Sequence, residues 1–79
     1  MTKPSFGDAA SFADRISPMT DDELFMSMRD LERQSETLSK DQHDISDVLA
    51  RIALVEEEIE ERYPGQALAP YKQWRRQDL

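Results

Sequence analysis

Large aliphatic residues recur at every seventh position through the middle of the chain. The row runs through Leu24, Leu31, Leu38, Ile45, Ile52 and Ile59. A strict seven-residue repeat of this kind is typical of coiled coils, in which it keeps one apolar seam turned toward a partner helix. We refer to these six positions as the heptad row.

The length of the uninterrupted pattern favours one long helix. Neither glycine nor proline occurs between Thr20 and Pro64, and the heptad row keeps its phase throughout this segment. A single helix over residues 20–63 would have no second helix in the same chain against which to bury its apolar seam. This interpretation predicts a dimeric coiled coil, with Met28 and Leu49 adding to the seam four residues after members of the row.

A polar stretch in the middle of the row favours the opposite interpretation. Residues 32–44 hold one large apolar side chain, Leu38, and several weak helix formers. Ser39 and Gln42 have the spacing of a helix-capping box, which indicates a new helix start. A turn near residues 38–41 would fold two helices, about 20–38 and 40–63, against each other.

Other signals place the remaining elements. Apolar residues of the segment near 9–16 share one helical face, so we predict a first helix over about 8–17 with Asp8 as its cap. Thr20 and Glu23 form a second capping-box pattern. Pro64 and Gly65 mark a stop, and Pro70 can open a short turn over 70–77.

The predicted fold is therefore all-α within one small domain, residues 1–79. A helical hairpin or small antiparallel three-element bundle is the first interpretation, and the continuous dimeric coiled coil is the alternative. Residues 1–7 read as a flexible lead. Residues 66–79 read as a basic and aromatic tail that either folds back to complete a thin core or docks on another macromolecule.

The composition of the chain indicates its cellular compartment and excludes some classes of partner. The chain has no cysteine, one histidine and a net charge of −7. It offers no disulfide framework, and its acidity argues against direct binding to nucleic acid or to anionic membranes. No apolar run is long enough to span a bilayer, and the N-terminal residues lack a secretory pattern. A cytoplasmic protein is the expectation.

No group of residues indicates catalysis. The glutamates of residues 55–62 are spaced as a solvated helix face. As a catalytic base, the lone His43 would need a nucleophile and an orienting carboxylate held together in a cleft, and a helical chain of this size offers little cleft. We therefore expect no enzymatic activity, no cofactor and no metal site.

The sequence thus favours a protein–protein interaction module: an adaptor, an assembly factor or a small inhibitor of a larger protein, of a type that phages and mobile elements encode. A protein partner or a second copy would contact an apolar helical face and the tail. The predicted interface comprises Leu24, Met28, Leu31, Leu38, Ile45, Leu49, Ile52, Ile59, Tyr71, Trp74 and Arg75. The alternative is an acidic nucleic-acid mimic that blocks the groove of a nuclease or a CRISPR-type complex.

Overall fold

The computed structural model describes residues 5–40 and 45–77, which form four helices. They are α1 (Ser5–Ile16), α2 (Asp21–Lys40), α3 (Ser46–Arg62) and α4 (Ala69–Gln77). Helices α2 and α3 pack against each other as an antiparallel hairpin, α1 packs on α3, and α4 packs on α2. The prediction of a small antiparallel helical bundle is confirmed. The continuous helix over 20–63 is wrong, because Arg62 returns to contact Asp21.

Two helix boundaries differ from the sequence prediction. Helix α2 continues to Lys40, so Ser39 lies inside it and does not begin the next helix. Helix α3 begins at Ser46, after Ile45, whose side chain makes no capping hydrogen bond. Lys40 at the end of α2 and Asp47 at the start of α3 each carry the charge that the helix dipole favours at that end. Gln42 and His43 lie outside the described residues.

The first helix also begins earlier than predicted, at Ser5 rather than near Asp8. Asp8 therefore lies inside the helix rather than at its N-cap position. The capping box at Thr20 is confirmed. The backbone N–H of Thr20 donates to Glu23 Oε1 at 2.9 Å, and the backbone N–H of Glu23 donates to Thr20 Oγ1 at 3.2 Å.

The core draws on all four helices. Its buried members are Phe12, Ile16, Leu24, Phe25, Met28, Leu31, Val48, Val55, Ile59 and Tyr71. In α2 the buried face follows the heptad row and the residue four positions after it, Met28. In α3 it follows the row and the residues three positions after it, Val48 and Val55. In α3 the second set of buried residues follows the row by three positions instead of four. Leu49, which follows it by four, therefore faces outward.

The aromatic tail folds back onto α2 and completes the core. Tyr71 is 2% exposed, and its ring lies 5.8 Å from that of Phe25. The Tyr71 hydroxyl donates to Glu32 Oε1 at 2.6 Å, and Trp74 Nε1 donates to Asp22 Oδ1 at 2.9 Å. The chain reaches this position through a turn in which Gly65 has a φ of +80°, a conformation that glycine adopts without strain.

Arg62 joins the ends of three helices. Its Nε donates to Glu58 Oε2 and its Nη1 to Asp21 Oδ1, each at 2.9 Å. Its Nη2 donates to the backbone carbonyls of Ile16 and Ser17, at 3.3 Å and 3.2 Å. The Ile16 carbonyl also accepts from the backbone N–H of Met19 at 3.1 Å. The guanidinium adds donors for this carbonyl and for that of Ser17, just past the end of α1. The planar fork of arginine suits four acceptors arranged around it.

Tyr63 adds a second contact to the same carboxylate, since its hydroxyl donates to Asp21 Oδ2. This hydrogen bond and the ion pair with Arg62 hold the pKa of Asp21 below its ordinary value. The same hydrogen bond to Asp21 raises the pKa of Tyr63, because the phenolate form could not donate it. Asp21, at the first position of α2, is thereby tied to the last turn of α3.

Replacing Arg62 with lysine tests the contribution of this fork. The ammonium keeps the charge but cannot reach the four acceptors together, so we expect a loss of about 1–3 kcal/mol in the free energy of unfolding. Urea denaturation measures it. The matched control is Arg76→Lys, at an exposed position of α4, expected to change stability by less than about 0.5 kcal/mol. An Arg62→Lys protein as stable as its control would contradict a stabilising role for the fork.

The lowered pKa of Asp21 predicts a pH dependence. A carboxyl whose folded-state pKa lies below its unfolded value stabilises the fold above the unfolded value, and this contribution is lost as the pH falls through the folded pKa. In urea denaturation, Asp21→Asn should be less stable than the wild type at neutral pH. The difference should shrink below about pH 4. Asp30→Asn, at an exposed position of the same helix, should follow the wild type. A constant difference for Asp21→Asn would refute the assignment.

Candidate interaction surface

The predicted interface residues divide into two groups in the structure. Leu24, Met28, Leu31, Ile59 and Tyr71 are buried in the core of the chain itself. The side chains with accessible surface are the partly buried Leu38, Ile45, Ile52 and Trp74 and the exposed Leu49 and Arg75. A partner that meets the folded chain can reach only this second group, and Trp74 is already engaged with α2.

Leu49 is the centre of the accessible apolar surface. It is 48% exposed, one of two large apolar side chains among the described residues with this degree of exposure, together with Met26 at 46%. Ile45 and Ile52 lie four residues before and three residues after Leu49 and are partly buried. Residues at these spacings occupy one face of a helix, so Leu49 and Ile52 share a face of α3, and Ile45 is the residue just before its first turn.

Leu38 of α2 lies toward the same end of the hairpin. Ser35 of α2 and Ile52 of α3 line the same groove, which places them at the same level of the hairpin. The helices are antiparallel, so three residues further along α2 and three residues back along α3 bring Leu38 level with Leu49. We call Leu38, Ile45, Leu49 and Ile52 the hairpin-end patch, because they lie toward the end of the hairpin where α2 leads into α3.

A groove lined by several charged side chains adjoins the patch at Ile52. It has a volume of about 450 Å³, and its polar lining consists of Arg29, Glu32, Arg33, Ser35, Glu36 and Arg75. Three arginines and two glutamates give it one positive charge in a protein whose net charge is −7. We call it the arginine groove. Among its lining residues, Ile52 and Arg75 belong to the interface predicted from the sequence.

Helix α4 fixes the position of the arginines on its side of the groove. Arg75 Nη1 lies 3.4 Å from Glu32 Oε1, and the Arg75 guanidinium lies 5.9 Å from the centre of the Tyr71 ring. The guanidinium of Arg29 lies 5.2 Å from the centre of the Trp74 ring, within the range of a cation–π contact. Burial, together with the hydrogen bond to Glu32, raises the pKa of Tyr71 well above its ordinary value, so the hydroxyl stays a donor.

The sequence contained a signal for this groove. Arg29 and Arg33 are four residues apart, which places them on one face of α2. Arg75 belongs to the basic and aromatic tail, and the sequence does not decide whether this tail folds back on the core or docks on another macromolecule. Only the return of α4 onto α2 brings these three residues together, and that return depends on contacts of Tyr71 and Trp74 with residues 39 and 52 positions away.

The glutamates of α3 form a separate surface. Glu56, Glu57, Glu60 and Glu61 are exposed, whereas Glu58 pairs with Arg62. Over residues 5–40 and 45–77 no three acidic or histidine side chains come together in a way that could hold a metal ion. No helix in this part of the chain is long and apolar enough to cross a membrane.

Comparison of the chain with protein-family models, with curated proteins and with solved structures finds no match to any of them.

A pair of leucine substitutions distinguishes core from patch. Leu24 is 0% exposed and Leu49 is 48% exposed, although both continue the same apolar pattern in the sequence. Leu24→Ala should lower the free energy of unfolding by about 2–5 kcal/mol. Leu49→Ala should lower it by about 1 kcal/mol or less, because a half-exposed side chain loses less on truncation. Urea denaturation measures both, and a comparable loss at the two positions would place Leu49 in the core.

Proposed function

We propose that this protein is a non-enzymatic interaction module that binds a larger protein through the hairpin-end patch. The observation that carries the proposal is the half-exposed Leu49, flanked on one helix face by Ile45 and Ile52. A solvent-exposed leucine between two further aliphatic side chains gains free energy when a partner covers it. Such an apolar centre surrounded by polar residues is the usual composition of a binding site for another protein.

The bundle suits this role because its two ends differ. At one end, Arg62 and the aromatic side chains of α4 hold the helices together. At the other end, the patch lies on two helices whose relative position is already fixed by that packing. This chain then loses little conformational entropy when a partner binds. Adaptor, assembly factor and small inhibitor are the activities that such a rigid, one-sided surface supports.

The absence of cysteine from all 79 residues suits a reducing compartment, so we propose that the protein acts in the cytoplasm.

The second candidate function is mimicry of a nucleic acid, supported by the exposed glutamates at the end of α3. Residues 56 to 61 span five helical rises, about 7.5 Å. This equals the axial distance of about two phosphates on one strand of a duplex. A mimic needs a longer series of negative charges, and the arginines of the arginine groove interrupt such a series. We therefore favour the interaction module.

Photo-crosslinking tests the module. A benzophenone amino acid placed at Leu49 should form a covalent adduct with a protein partner in cells of the source organism. The same group at Met26, which is equally exposed on α2, should not form this adduct. An excess of unlabelled wild-type protein should abolish the adduct, whereas an excess of Leu49→Asp should leave it.

Other outcomes separate the alternatives. An adduct at both positions, or one that Leu49→Asp competes away, would refute the assignment of the patch. An adduct whose mass is twice that of this chain would identify the partner as a second copy. Loss of the adduct at raised salt, with no effect of Leu49→Asp, would favour the acidic mimic, because salt screens charge contacts far more than apolar ones.

A further inference from the structure

We propose that the arginine groove binds carboxylates of an acidic, aliphatic helix that covers the hairpin-end patch. The inference deepens the proposed function and rests on it, because the partner is the one that covers Leu49. The groove and the patch share Ile52, so a single ligand can occupy both. The chemistry of this shared surface then specifies the ligand: leucine-like side chains for the patch, and carboxylates for the guanidinium groups beside it.

Guanidinium groups at the groove are placed to receive such carboxylates. Arg75 keeps 54% of its side chain exposed while Glu32 and the Tyr71 ring hold it in position. Arg33 is exposed on α2 and lines the same groove. A pre-positioned guanidinium loses little side-chain entropy when it binds, and its fork matches a carboxylate through two parallel hydrogen bonds.

The glutamates of the groove limit the ligand to a few negative charges. Glu32 already accepts hydrogen bonds from Tyr71 and Arg75, so its charge is largely engaged within the protein. Glu36 remains exposed at the wall and repels a ligand with closely spaced charges. A nucleic-acid strand carries a phosphate at every residue and would also meet the net charge of −7. A peptide with isolated carboxylates between aliphatic residues avoids both penalties.

Helix α4 indicates that the ligand is helical. It packs on α2, and its residue Arg75 reaches the groove. Past Arg75, the surface between α2 and α3 continues with Ser35, Ile52 and Leu49, and no described helix buries Leu49 there. A partner helix in this position would continue the layer that α4 begins. It would present apolar residues at spacings of three and four to the patch, as helix-in-groove ligands do.

Three synthetic peptides provide the probes. All have 18 residues with leucine at two positions of each heptad, and one position of each heptad beside a leucine carries glutamate, glutamine or lysine. General attraction to a protein of net charge −7 would favour the lysine peptide. We expect the reverse at about 0.1 M salt: the glutamate peptide should bind about tenfold tighter than the lysine peptide, with the glutamine peptide between them. Isothermal titration calorimetry gives the affinities.

Arg33→Gln is the decisive variant, because Arg33 is exposed and its loss should leave the fold intact. It should weaken the glutamate peptide about three- to tenfold and leave the glutamine peptide unchanged. Arg76→Gln removes the same charge from α4 outside the groove and should change both affinities less than about twofold. Circular dichroism of each variant checks folding, and backbone amide shifts of Ser35 and Ile52 should move on binding.

Each remaining outcome decides the proposal. If all three peptides bind equally and only Leu49→Asp abolishes binding, the interaction module stands and the role of the arginine groove is refuted. Preference for the lysine peptide, or no binding of any peptide, also refutes it. If a single-stranded oligonucleotide binds and loses affinity with Arg33→Gln, the groove is a polyphosphate site and the peptide assignment is wrong.

Discussion

The geometry of the bundle depends on one guanidinium group. Arg62 sits at the last residue of α3 and contacts the first residue of α2 and the final carbonyls at the end of α1. The guanidinium adds charged donors for these carbonyls, of which that of Ile16 also accepts from the backbone N–H of Met19. Asp21 is 45% exposed on its side chain, so the ion pair itself contributes little. The contacts with Glu58 and with the two carbonyls, rather than the ion pair with Asp21, hold the Arg62 guanidinium in place.

This fixed end determines which apolar surface of the bundle stays accessible. Near Arg62 the core residues Ile16, Leu24 and Ile59 are 0–1% exposed, and α4 adds an aromatic layer over Phe25. Toward the other end of the hairpin, Val48 is 6% exposed and its neighbour Leu49 is 48% exposed. A chain of 79 residues has few large apolar side chains with which to cover a hairpin along its whole length. The uncovered part is therefore the part available to a partner.

The sequence allowed the fold class and most helix positions to be predicted, and the reason for the one real ambiguity is physical. A residue that recurs every seven positions faces inward both in a long coiled-coil helix and in two helices folded against each other, so the heptad row could not separate them. The neighbouring columns carried a partial signal: Val48 and Val55 follow the row by three residues, whereas Met28 and Leu49 follow it by four. The arginine groove was beyond prediction, because it joins Arg29 and Arg33 to Arg75 through the packing of α4.

Net charge and local charge lead to different conclusions about partners. The value of −7 describes the field that a distant molecule meets, and salt screens that field over about 8–10 Å. A ligand in contact with the surface meets individual side chains instead, and at the groove these are mainly guanidinium groups held by Glu32 and by aromatic rings. The acidic peptide that we propose as the ligand would therefore be repelled weakly at long range and attracted at contact. Its binding would then depend on a close apolar fit at Leu49 before the charges contribute.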